Sequence, residues 1–224
     1  MTLKLIIGNK NYSSWSLRPW IAMKVAGLAF DELVIPLYEP GSREQILKYS
    51  PAGKLPVLID DDQPIWESLA ILEHLAEIFP KAGIWPADAH ARSHARVVAT
   101  EMHGGFQALR KHCPINLWLP VKRRPQPEEV HNDLRRIDAI WSDCRARFGQ
   151  SGPFLFGTFG AADAMYAPVA ARIRTFDLDV GPVSRAYIGS VLALPAFVEW
   201  RAAALKEPWV MRHNEPDWPL VRGV

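Results

Sequence analysis

Short apolar runs alternate with helical periodicity between Leu3 and Leu37. Residues 3–7 form an apolar run typical of a buried strand, and residues 18–26 place apolar side chains at helical spacing before Gly27. Residues 31–37 are apolar and contain β-branched side chains, as a second strand would. Together these segments predict a βαβ unit.

A second group of elements follows before Pro80. Residues 42–49 predict a short helix that begins at a Ser cap. Residues 55–59 and 63–66 flank three consecutive Asp residues, which is typical of a hairpin. Residues 67–79 again carry apolar side chains at helical spacing. The predicted order is therefore β-α-β-α-β-β-α, a small mixed sheet flanked by helices.

The pattern changes after Pro86, where helical periodicity continues without any convincing strand between the helices. The predicted helices are residues 91–112, 127–148, 161–175 and 195–205. We therefore expect an α/β fold followed by an all-α bundle. The expected domains are residues 1–80 and residues 88–224, with residues 81–87 as the linker.

The charge distribution changes at the same place. Residues 1–80 hold 7 Lys and Arg against 10 Asp and Glu, and residues 81–224 hold 19 against 14. The net charges are −3 and +5, and the whole chain carries +2. A chain so close to neutral offers no electrostatic attraction for nucleic acid or an anionic membrane. We expect neither as a partner.

Composition narrows the class of protein further. Hydrophobic residues make up 49% of the chain and charged residues 22%, which is typical of a globular protein. No apolar stretch approaches the roughly 18 residues of a membrane span, and the apolar run at the start is too short for a signal peptide. The two cysteines, Cys113 and Cys144, match no zinc spacing, and His90 and His94 have no third ligand nearby. We expect a cytoplasmic protein without a metal.

Three motifs before Pro80 carry a resemblance to a known family. They are the loop SSWSLR at residues 13–18, GKLPVL at residues 53–58 and ESLAI at residues 67–71. With the helical remainder, these motifs resemble the cytosolic glutathione transferases over essentially the whole chain. The first loop is similar to the Ser-Ser-Cys-Ser-Trp-Arg loop of the zeta class, with Trp15 in place of the Cys.

The resemblance implies a fold, a co-substrate and an assembly. Residues 1–80 would form a thioredoxin-like βαβαββα domain, and the second domain would carry the site for a hydrophobic substrate. Glutathione would be the co-substrate, and the protein would be a homodimer.

Conjugation of glutathione requires its thiol as the thiolate. A thiol with a pKa near 8.5 is only about 3% ionised at pH 7, and lowering that pKa by about two units requires roughly 2.7 kcal/mol. A hydroxyl donor between the first strand and the next helix supplies a charge-assisted hydrogen bond beside a helix N-terminus. Ser13, Ser14 and Ser16 all lie there.

The choice among these hydroxyls depends on their spacing from Arg18. Ser13 precedes it by five residues, which matches the zeta-class catalytic serine, and Ser14 precedes it by four, which is closer to theta and delta enzymes. We prefer Ser13 and keep Ser14 as the alternative. Ser16 is expected to cap the helix, and Tyr12 is a less favoured third candidate.

The other two motifs are expected to bind glutathione. The resemblance implies that Pro56 is cis, that Val57 pairs with the cysteinyl part through its backbone, and that Lys54 meets the glycyl carboxylate. Glu67 would bind the γ-glutamyl ammonium, and Ser68 with the helix N-terminus would bind its carboxylate. From the sequence alone, and without the family resemblance, Pro56 would be interpreted as an edge proline, Lys54 as a surface lysine, and Glu67 and Ser68 as ordinary helix-capping residues.

The second half supplies a folding motif and a candidate pocket. Residues 157–163 resemble the family's capping motif, with Gly160 where a hydroxyl is usual, and Asp163 is still expected to serve that helix end. Gly104 and Gly105 indicate close backbone approach or room for a ligand. The expected substrate pocket is lined by Trp15, Met102, His103 and Phe106, with Trp118 or Trp209 as further candidates.

The sequence thus predicts a glutathione S-transferase that conjugates glutathione to a small hydrophobic electrophile. The main alternative is a glutathione-dependent cis-trans isomerase of the maleylacetoacetate type. A second alternative is a non-catalytic interaction module with the same fold. The presence of the candidate glutathione-binding residues favours an enzyme over that module.

Overall fold

The computed structural model describes residues 2–211. Its first part is a four-stranded mixed sheet with three helices. The strands are β1 (Leu3–Ile7), β2 (Asp31–Val34), β3 (Val57–Asp60) and β4 (Gln63–Trp66), and the helices are α1 (Ser14–Val25), α2 (Ser42–Leu47) and α3 (Ser68–Ile78). The second part is helical. Its helices are α4 (Ala89–Gly104), α5 (Gln107–His112), α6 (Glu128–Phe148), α7 (Ala161–Thr175), α8 (Pro182–Leu192) and α9 (Pro195–Ala204). The expected element order of residues 1–80 and the helical nature of the remainder are confirmed.

The sheet has the strand order β2-β1-β3-β4, with β2 parallel to β1 and the other pairs antiparallel. Alternate side chains of β1 point to opposite faces, as in any strand. Leu5 and Ile7 join the large core shared with α1 and α3, whereas Ile6 packs with Ile35 and Ile46 of α2 on the other face. Both faces of the central strand β1 are therefore covered by helices, and this packing fixes the position of its C-terminal end, where the loop to α1 begins.

Helix α7 joins the two parts of the molecule. Its side chains from Ala161 to Ile173 are all buried, and the helix packs against both α1 and α4. Because many of these residues are alanines, neighbouring helices can approach it closely. One continuous core therefore runs from the sheet into the helical part.

The N-terminus of α7 confirms the expected role of Asp163. Its carboxylate accepts the backbone N–H of Gly160 at 3.0 Å and that of Leu155 at 3.0 Å. A Cβ on Gly160 would lie 2.9 Å from the carbonyl oxygen of Ile84, so the backbone leaves no room for the usual hydroxyl residue there. Burial raises the pKa of Asp163 to about 6.

Two helix starts differ from the sequence prediction. Helix α1 begins at Ser14 and its N-cap is Ser13, so the expectation that Ser16 caps it is wrong. Helix α2 begins at Ser42 itself, and its N-cap is Gly41. In both cases the chain enters the helix before the first strongly apolar residue, and hydrophobic periodicity does not report that turn.

The segment predicted as one helix over residues 91–112 is two helices. Helix α4 ends at Gly104, Gly105 is extended, and Phe106 adopts a left-handed conformation with φ of 58° before α5 begins. A Cβ on Gly105 would lie 2.6 Å from the carbonyl oxygen of Glu101. Gly105 therefore allows the close backbone approach that the sequence indicated, whereas a Cβ on Gly104 would meet no atom within 4 Å in the described part of the chain. The sequence pattern does not predict helix α8, because its Gly181-Pro182 start resembles a loop.

None of the helices between residues 2 and 211 is both long and apolar enough to cross a bilayer.

Candidate active site

A cavity of about 790 Å³ opens where the start of α1, the loop after β2 with α2, the loop before β3 and the turn at the start of α3 meet the end of α4. Its lining residues are Trp15, Leu37, Tyr38, Glu39, Ser42, Arg43, Ile46, Gly53, Lys54, Leu55, Pro56, Glu67, Ser68 and His103. All of these except His103 come from the first part of the chain. The cavity is therefore formed mainly by the sheet-containing part, and the side chain of His103 from the helical part closes it.

The structure brings six of the sequence-predicted site residues together around this cavity. They are Trp15, Lys54, Pro56, Glu67, Ser68 and His103. The five others, Ser13, Ser14, Val57, Met102 and Phe106, do not line it. Sequence reasoning missed the wall formed by residues 37–46, which carry no motif beyond a short helix.

The loop before β3 contains the cis proline that the resemblance implied, but the residue that faces the cavity lies on the other side of it. The Leu55–Pro56 peptide bond is cis, as expected. Val57 is fully buried and pairs with Ile6 on one side and Trp66 on the other, so its backbone lies within the sheet. Val57 does not line the cavity, and its backbone contact with the ligand stays a prediction. Leu55, which precedes the proline, lines the cavity instead.

Glu67 lies in a strained turn at the start of α3. Its φ is 69° and its ψ is 120°, a conformation that non-glycine residues rarely adopt and that costs on the order of 1–3 kcal/mol. The Glu67 side chain stays partly exposed in the cavity, while the next residue, Ser68, is fully buried. The Ser68 hydroxyl accepts a hydrogen bond from Arg18 at 3.4 Å. This turn therefore presents a carboxylate and the first N–H groups of α3 to the cavity.

Trp15 forms a cavity wall supported by cations. The guanidinium carbon of Arg18 lies 4.1 Å from a Trp15 ring centroid, and that of Arg110 lies 5.1 Å away. The ring of His103 meets the indole edge-on with centroids 5.1 Å apart. Cation–π contacts of this kind hold the indole in place. The residue that replaces the zeta-class Cys is thus fixed by groups from both parts of the chain.

Arg18 is a buried cation behind that wall, and the sequence analysis used it only as a spacing marker. It is fully buried, and its Nε and Nη2 atoms have no hydrogen-bond partner in the described part of the chain. Burial lowers the pKa of Arg18 well below its ordinary value, and the charges of Arg110 and Arg172 lower it further. Its positive charge lies next to Ser68 and beneath Trp15.

His103 joins the helical part to the turn at Glu67. Its Nε2 atom lies 3.5 Å from Oε2 of Glu67. Burial lowers the pKa of His103, and the charges of Arg18 and Arg110 oppose the attraction of Glu67. His103 is therefore mostly neutral at pH 7, and its imidazole faces the cavity as an aromatic and hydrogen-bonding group.

Two hydroxyls and one backbone group form a chain of hydrogen bonds at the start of α1. The Ser13 Oγ accepts the backbone N–H of Ser16 at 3.2 Å and lies 2.7 Å from the Ser16 Oγ. The Ser16 Oγ accepts the N–H of Gly8 at 3.0 Å. Since hydroxyl protons rotate, Ser16 can donate to Ser13 and leave the Ser13 O–H available to another acceptor. Ser16 is thus a partner of Ser13 rather than the helix cap.

Ser13 and Ser14 are both nearly buried beside Trp15, with 7% and 6% of their surface exposed. The Ser14 hydroxyl forms no hydrogen bond with any residue between 2 and 211 that the structure describes. Tyr12 is buried and packs edge-on against Trp118 with centroids 5.4 Å apart, away from the cavity.

Met102 and Phe106 belong to the core and do not line the cavity, so their contact with a substrate stays a prediction. Met102 points to the buried face of α4, and Phe106 turns inward at the break between α4 and α5 towards Tyr166. Trp118 is fully buried, and neither it nor Trp209 lines the cavity. His103 follows Met102 directly and is turned about 100° around the helix from it, and it lines the cavity.

Other reactive groups lie elsewhere. Burial raises the pKa of both Cys113 and Cys144 to about 12, so both thiols are protonated at neutral pH. Within residues 2–211, no cluster of three His, Cys, Asp or Glu side chains is arranged to hold a metal ion.

Sequence comparisons relate both parts of the chain to known proteins. The N-terminal domain family of glutathione S-transferase matches residues 12–78, and the C-terminal domain family matches residues 124–203. A probable maleylacetoacetate isomerase of Caenorhabditis elegans is 33% identical over 83% of this chain and 87% of its own length. Glutathione S-transferase 1 of Dianthus caryophyllus is 30% identical over 80% of this chain and 82% of its own.

A solved structure shares the fold. A glutathione transferase homolog from Burkholderia, determined with bound glutathione, superposes with a TM-score of 0.70 at 21% identity. The superposition covers 91% of this chain and 98% of that one. The two domain matches together span most of the chain, and the chain belongs to the glutathione S-transferase family.

Proposed function

We propose that this protein binds glutathione in the cavity, ionises its thiol and transfers the sulfur to a small electrophile. The observation that carries the proposal is the convergence of Lys54, Glu67 and Ser68 on one cavity beside the cis Leu55–Pro56 bond. The cavity volume of about 790 Å³ lies within the range of roughly 300–1,000 Å³ that is usual for small-molecule sites. Membership of the family supports the same activity.

The charges around the cavity complement those of glutathione. Lys54 and Arg43 supply cations for the glycyl carboxylate, and Glu67 supplies a carboxylate for the γ-glutamyl ammonium. The N-terminus of α3, with Ser68, receives the γ-glutamyl carboxylate. We assign the cysteinyl backbone contacts to Leu55, since it lies before the strand and lines the cavity.

Ser13 is the proposed hydroxyl that stabilises the thiolate. When the Ser16 hydroxyl donates to the Ser13 Oγ, the Ser13 proton is available to the sulfur. The N–H of Gly8 donates to the Ser16 Oγ and polarises this chain of hydrogen bonds. The N-terminus of α1 adds a favourable dipole. Ser14, whose hydroxyl has no hydrogen-bond partner among residues 2–211, is the alternative donor. Both hydroxyls lie beside Trp15, which forms the cavity wall at this point.

In the proposed reaction the thiolate attacks an electrophilic carbon. A sulfur–carbon bond forms while the bond to a leaving group breaks, and the leaving group departs with its electron pair. Trp15 and His103 form the wall nearest the start of α1, so they contact the electrophile. Their aromatic faces favour a flat hydrophobic substrate.

A second candidate function is glutathione-dependent cis-trans isomerisation, and the similarity to a probable maleylacetoacetate isomerase favours it. In that reaction the thiolate adds to a conjugated double bond, the resulting single bond rotates, and the thiolate leaves again. No atom is gained or lost. The same glutathione site serves both reactions, so they differ only in the group bound beside Trp15 and His103.

We further propose that the protein acts as a homodimer in the cytoplasm, where the glutathione pool is reduced. Trp66 on β4 and Val97 on α4 are large apolar side chains with 39% and 59% of their surface exposed, and they are candidates for the subunit interface. Light scattering of the purified protein tests the dimer. A Val97→Glu variant that becomes monomeric supports this interface, and a wild-type monomer contradicts it.

The function is tested by two assays on the same preparations. Conjugation of glutathione to chlorodinitrobenzene and isomerisation of maleylacetoacetate are measured for the wild type, Ser13→Ala and Ser14→Ala. Conjugation by the wild type supports the transferase, and isomerisation without conjugation supports the second candidate. A wild type that neither binds nor turns over glutathione contradicts both and supports a non-catalytic module.

A further inference from the structure

The loop between β1 and α1 is held by a carboxylate that lies far away along the chain. Glu207, three residues beyond α9, accepts the backbone N–H of Lys10 at 2.6 Å and that of Asn11 at 2.9 Å, one with each oxygen. Lys10 is 8% exposed and Asn11 is fully buried, so neither N–H has bulk water as a substitute acceptor. Two successive backbone groups of this loop therefore depend on one distant side chain.

Other groups of the helical part contact the same loop. The indole N–H of Trp200 donates to the Lys10 carbonyl at 2.9 Å. The Asn11 Oδ1 accepts the backbone N–H groups of Leu117 at 2.7 Å and Trp118 at 3.1 Å. Every one of these bonds joins the loop to the second half of the chain. The loop conformation is thus determined by residues outside the sheet-containing part.

The same loop leads directly to Ser13. The Ser13 N–H donates to the Asn9 carbonyl at 2.8 Å, and the Asn9 Oδ1 accepts the N–H of Leu37, a cavity-lining residue, at 2.7 Å. A change of backbone angles at Lys10 or Asn11 therefore moves Ser13 relative to the cavity. A displacement of about 1 Å at a reacting group is enough to slow a reaction by orders of magnitude.

We propose that Glu207 is a positioning residue, which fixes the β1–α1 loop so that the Ser13 hydroxyl meets the glutathione sulfur. This inference rests on the proposed function. It makes the segment after α9 a component of the glutathione site, through a contact that lies outside the cavity.

The charges around Glu207 fit this role. Burial raises the pKa of Glu207, and the hydrogen bonds from the two backbone N–H groups lower it. The Lys10 ammonium is paired with Glu32 at 2.7 Å and lies over the rings of Trp20 and Trp200. The positive end of Lys10 is therefore engaged elsewhere, and the acceptors of Glu207 are directed at the two backbone N–H groups. A carboxylate in this arrangement forms charge-assisted bonds, which are stronger than neutral ones.

The test compares Glu207→Ala and Glu207→Gln with a matched control, Glu199→Ala. Glu199 lies on α9 and pairs with Lys24 of α1 at 2.8 Å. The control therefore also removes a carboxylate that joins the C-terminal helix to the N-terminal part of the chain, but Glu199 does not contact the β1–α1 loop. Gln has the shape of Glu and keeps one acceptor oxygen, so Glu207→Gln preserves the packing if Glu207→Ala folds poorly.

Three quantities are measured for each protein. Amide hydrogen exchange at Lys10 and Asn11 is followed without glutathione, the pKa of bound glutathione is followed by thiolate absorbance, and kcat and KM are measured for conjugation. In Glu207→Ala we expect exchange at both amides to accelerate about tenfold or more, the thiol pKa to rise by about one unit and kcat at pH 7 to fall about threefold. Glu207→Gln is expected to be intermediate, and Glu199→Ala unchanged.

The outcomes separate this inference from the proposed function. If the wild type conjugates glutathione and Glu207→Ala keeps the thiol pKa and kcat of the wild type, the positioning role is refuted even if the variant is less stable. If Glu199→Ala shifts the thiol pKa as much as Glu207→Ala does, the effect is general and the role is again refuted. A wild type that does not bind glutathione refutes the proposed function, and the positioning role fails with it.

Discussion

Replacing Ser13 by Ala removes two functions of one hydroxyl, and they have different magnitudes. The first is the N-cap of α1, in which the Ser13 Oγ accepts the N–H of Ser16 at 3.2 Å. Loss of such a cap costs about 1 kcal/mol, which lowers the melting temperature of a chain of this size by roughly 2–4 °C. The second is donation to the glutathione thiolate, which has no effect on the stability of the free protein.

The catalytic loss follows from the ionised fraction of the thiol. If the site lowers the thiol pKa from 8.5 to about 6.5, about three quarters of the bound glutathione is thiolate at pH 7, against about 3% without that shift. Because α1 and its neighbours retain part of the effect, we expect kcat of Ser13→Ala at pH 7 to fall about tenfold. At pH 9 the difference should shrink, since even an unshifted thiol is then about three quarters ionised.

The assay is the pH dependence of conjugation between pH 6 and 9, together with thermal unfolding. Ser13→Thr keeps a hydroxyl and a cap and should retain most of both properties. Ser16→Ala removes the hydroxyl that is hydrogen-bonded to the Ser13 hydroxyl and should lie between the wild type and Ser13→Ala. If Ser14→Ala instead abolishes thiolate formation while Ser13→Ala keeps the wild-type profile, the assignment of Ser13 is refuted.

Three further predictions concern the cavity and the core. Lys54→Met should raise the Kd for glutathione about tenfold with little change in kcat, measured by titration and steady-state kinetics, because an ion pair with the glycyl carboxylate is lost; an unchanged Kd would remove Lys54 from the site. Trp15→Ala should raise KM for an aromatic electrophile about tenfold and leave the Kd for glutathione nearly unchanged, because only the electrophile loses its aromatic wall; a loss of glutathione binding alone would contradict this. Burial raises the pKa of Asp163 to about 6 from 3.8, so the folded protein binds more protons than the unfolded chain between these values. The resulting stabilisation is complete below pH 4, and about 3 kcal/mol of it is lost as the pH rises through 6. Denaturation of the wild type and of Asp163→Asn at several pH values should show this loss in the wild type only. If the Asp163 pKa is ordinary, the two proteins will show the same pH dependence.

The sequence predicts those parts of the site that lie within one short segment. The motifs at residues 53–58 and 67–71 each contain residues that face the cavity, and the cis proline in the first of them follows from the family resemblance. Their geometry is determined locally, by a turn and by a helix start. Lys54, Pro56, Glu67 and Ser68 can accordingly be identified from the sequence.

Errors arise wherever one position decides the direction of a side chain or a backbone group. Val57 and Leu55 lie on either side of one proline, and only the pairing of β3 on both sides shows that Val57 is inside the sheet. Met102 and His103 are adjacent on α4, and Met102 continues the buried face formed by Val98 and Ala99 whereas His103 does not. Hydrophobic periodicity cannot resolve a single position near the end of an element.

The residues that the sequence analysis missed have partners far away in the chain. Arg18 contacts Ser68 across 50 positions, and Glu207 binds Lys10 across 197. Neither lies in a recognisable motif with its partner, and each looks like an ordinary charged residue until the two parts of the chain are packed together. The fold is therefore better predicted than the support of the site, because periodicity encodes elements and not their long-range contacts.

Calorimetric titration of reduced glutathione into the wild type at pH 7 tests the central claim most directly. Repeating the titration in buffers with different ionisation enthalpies reports how many protons are released on binding. Our account predicts saturable binding of one glutathione per chain, with most of one proton released because the bound thiol ionises. Absence of binding, or binding without proton release, would contradict it.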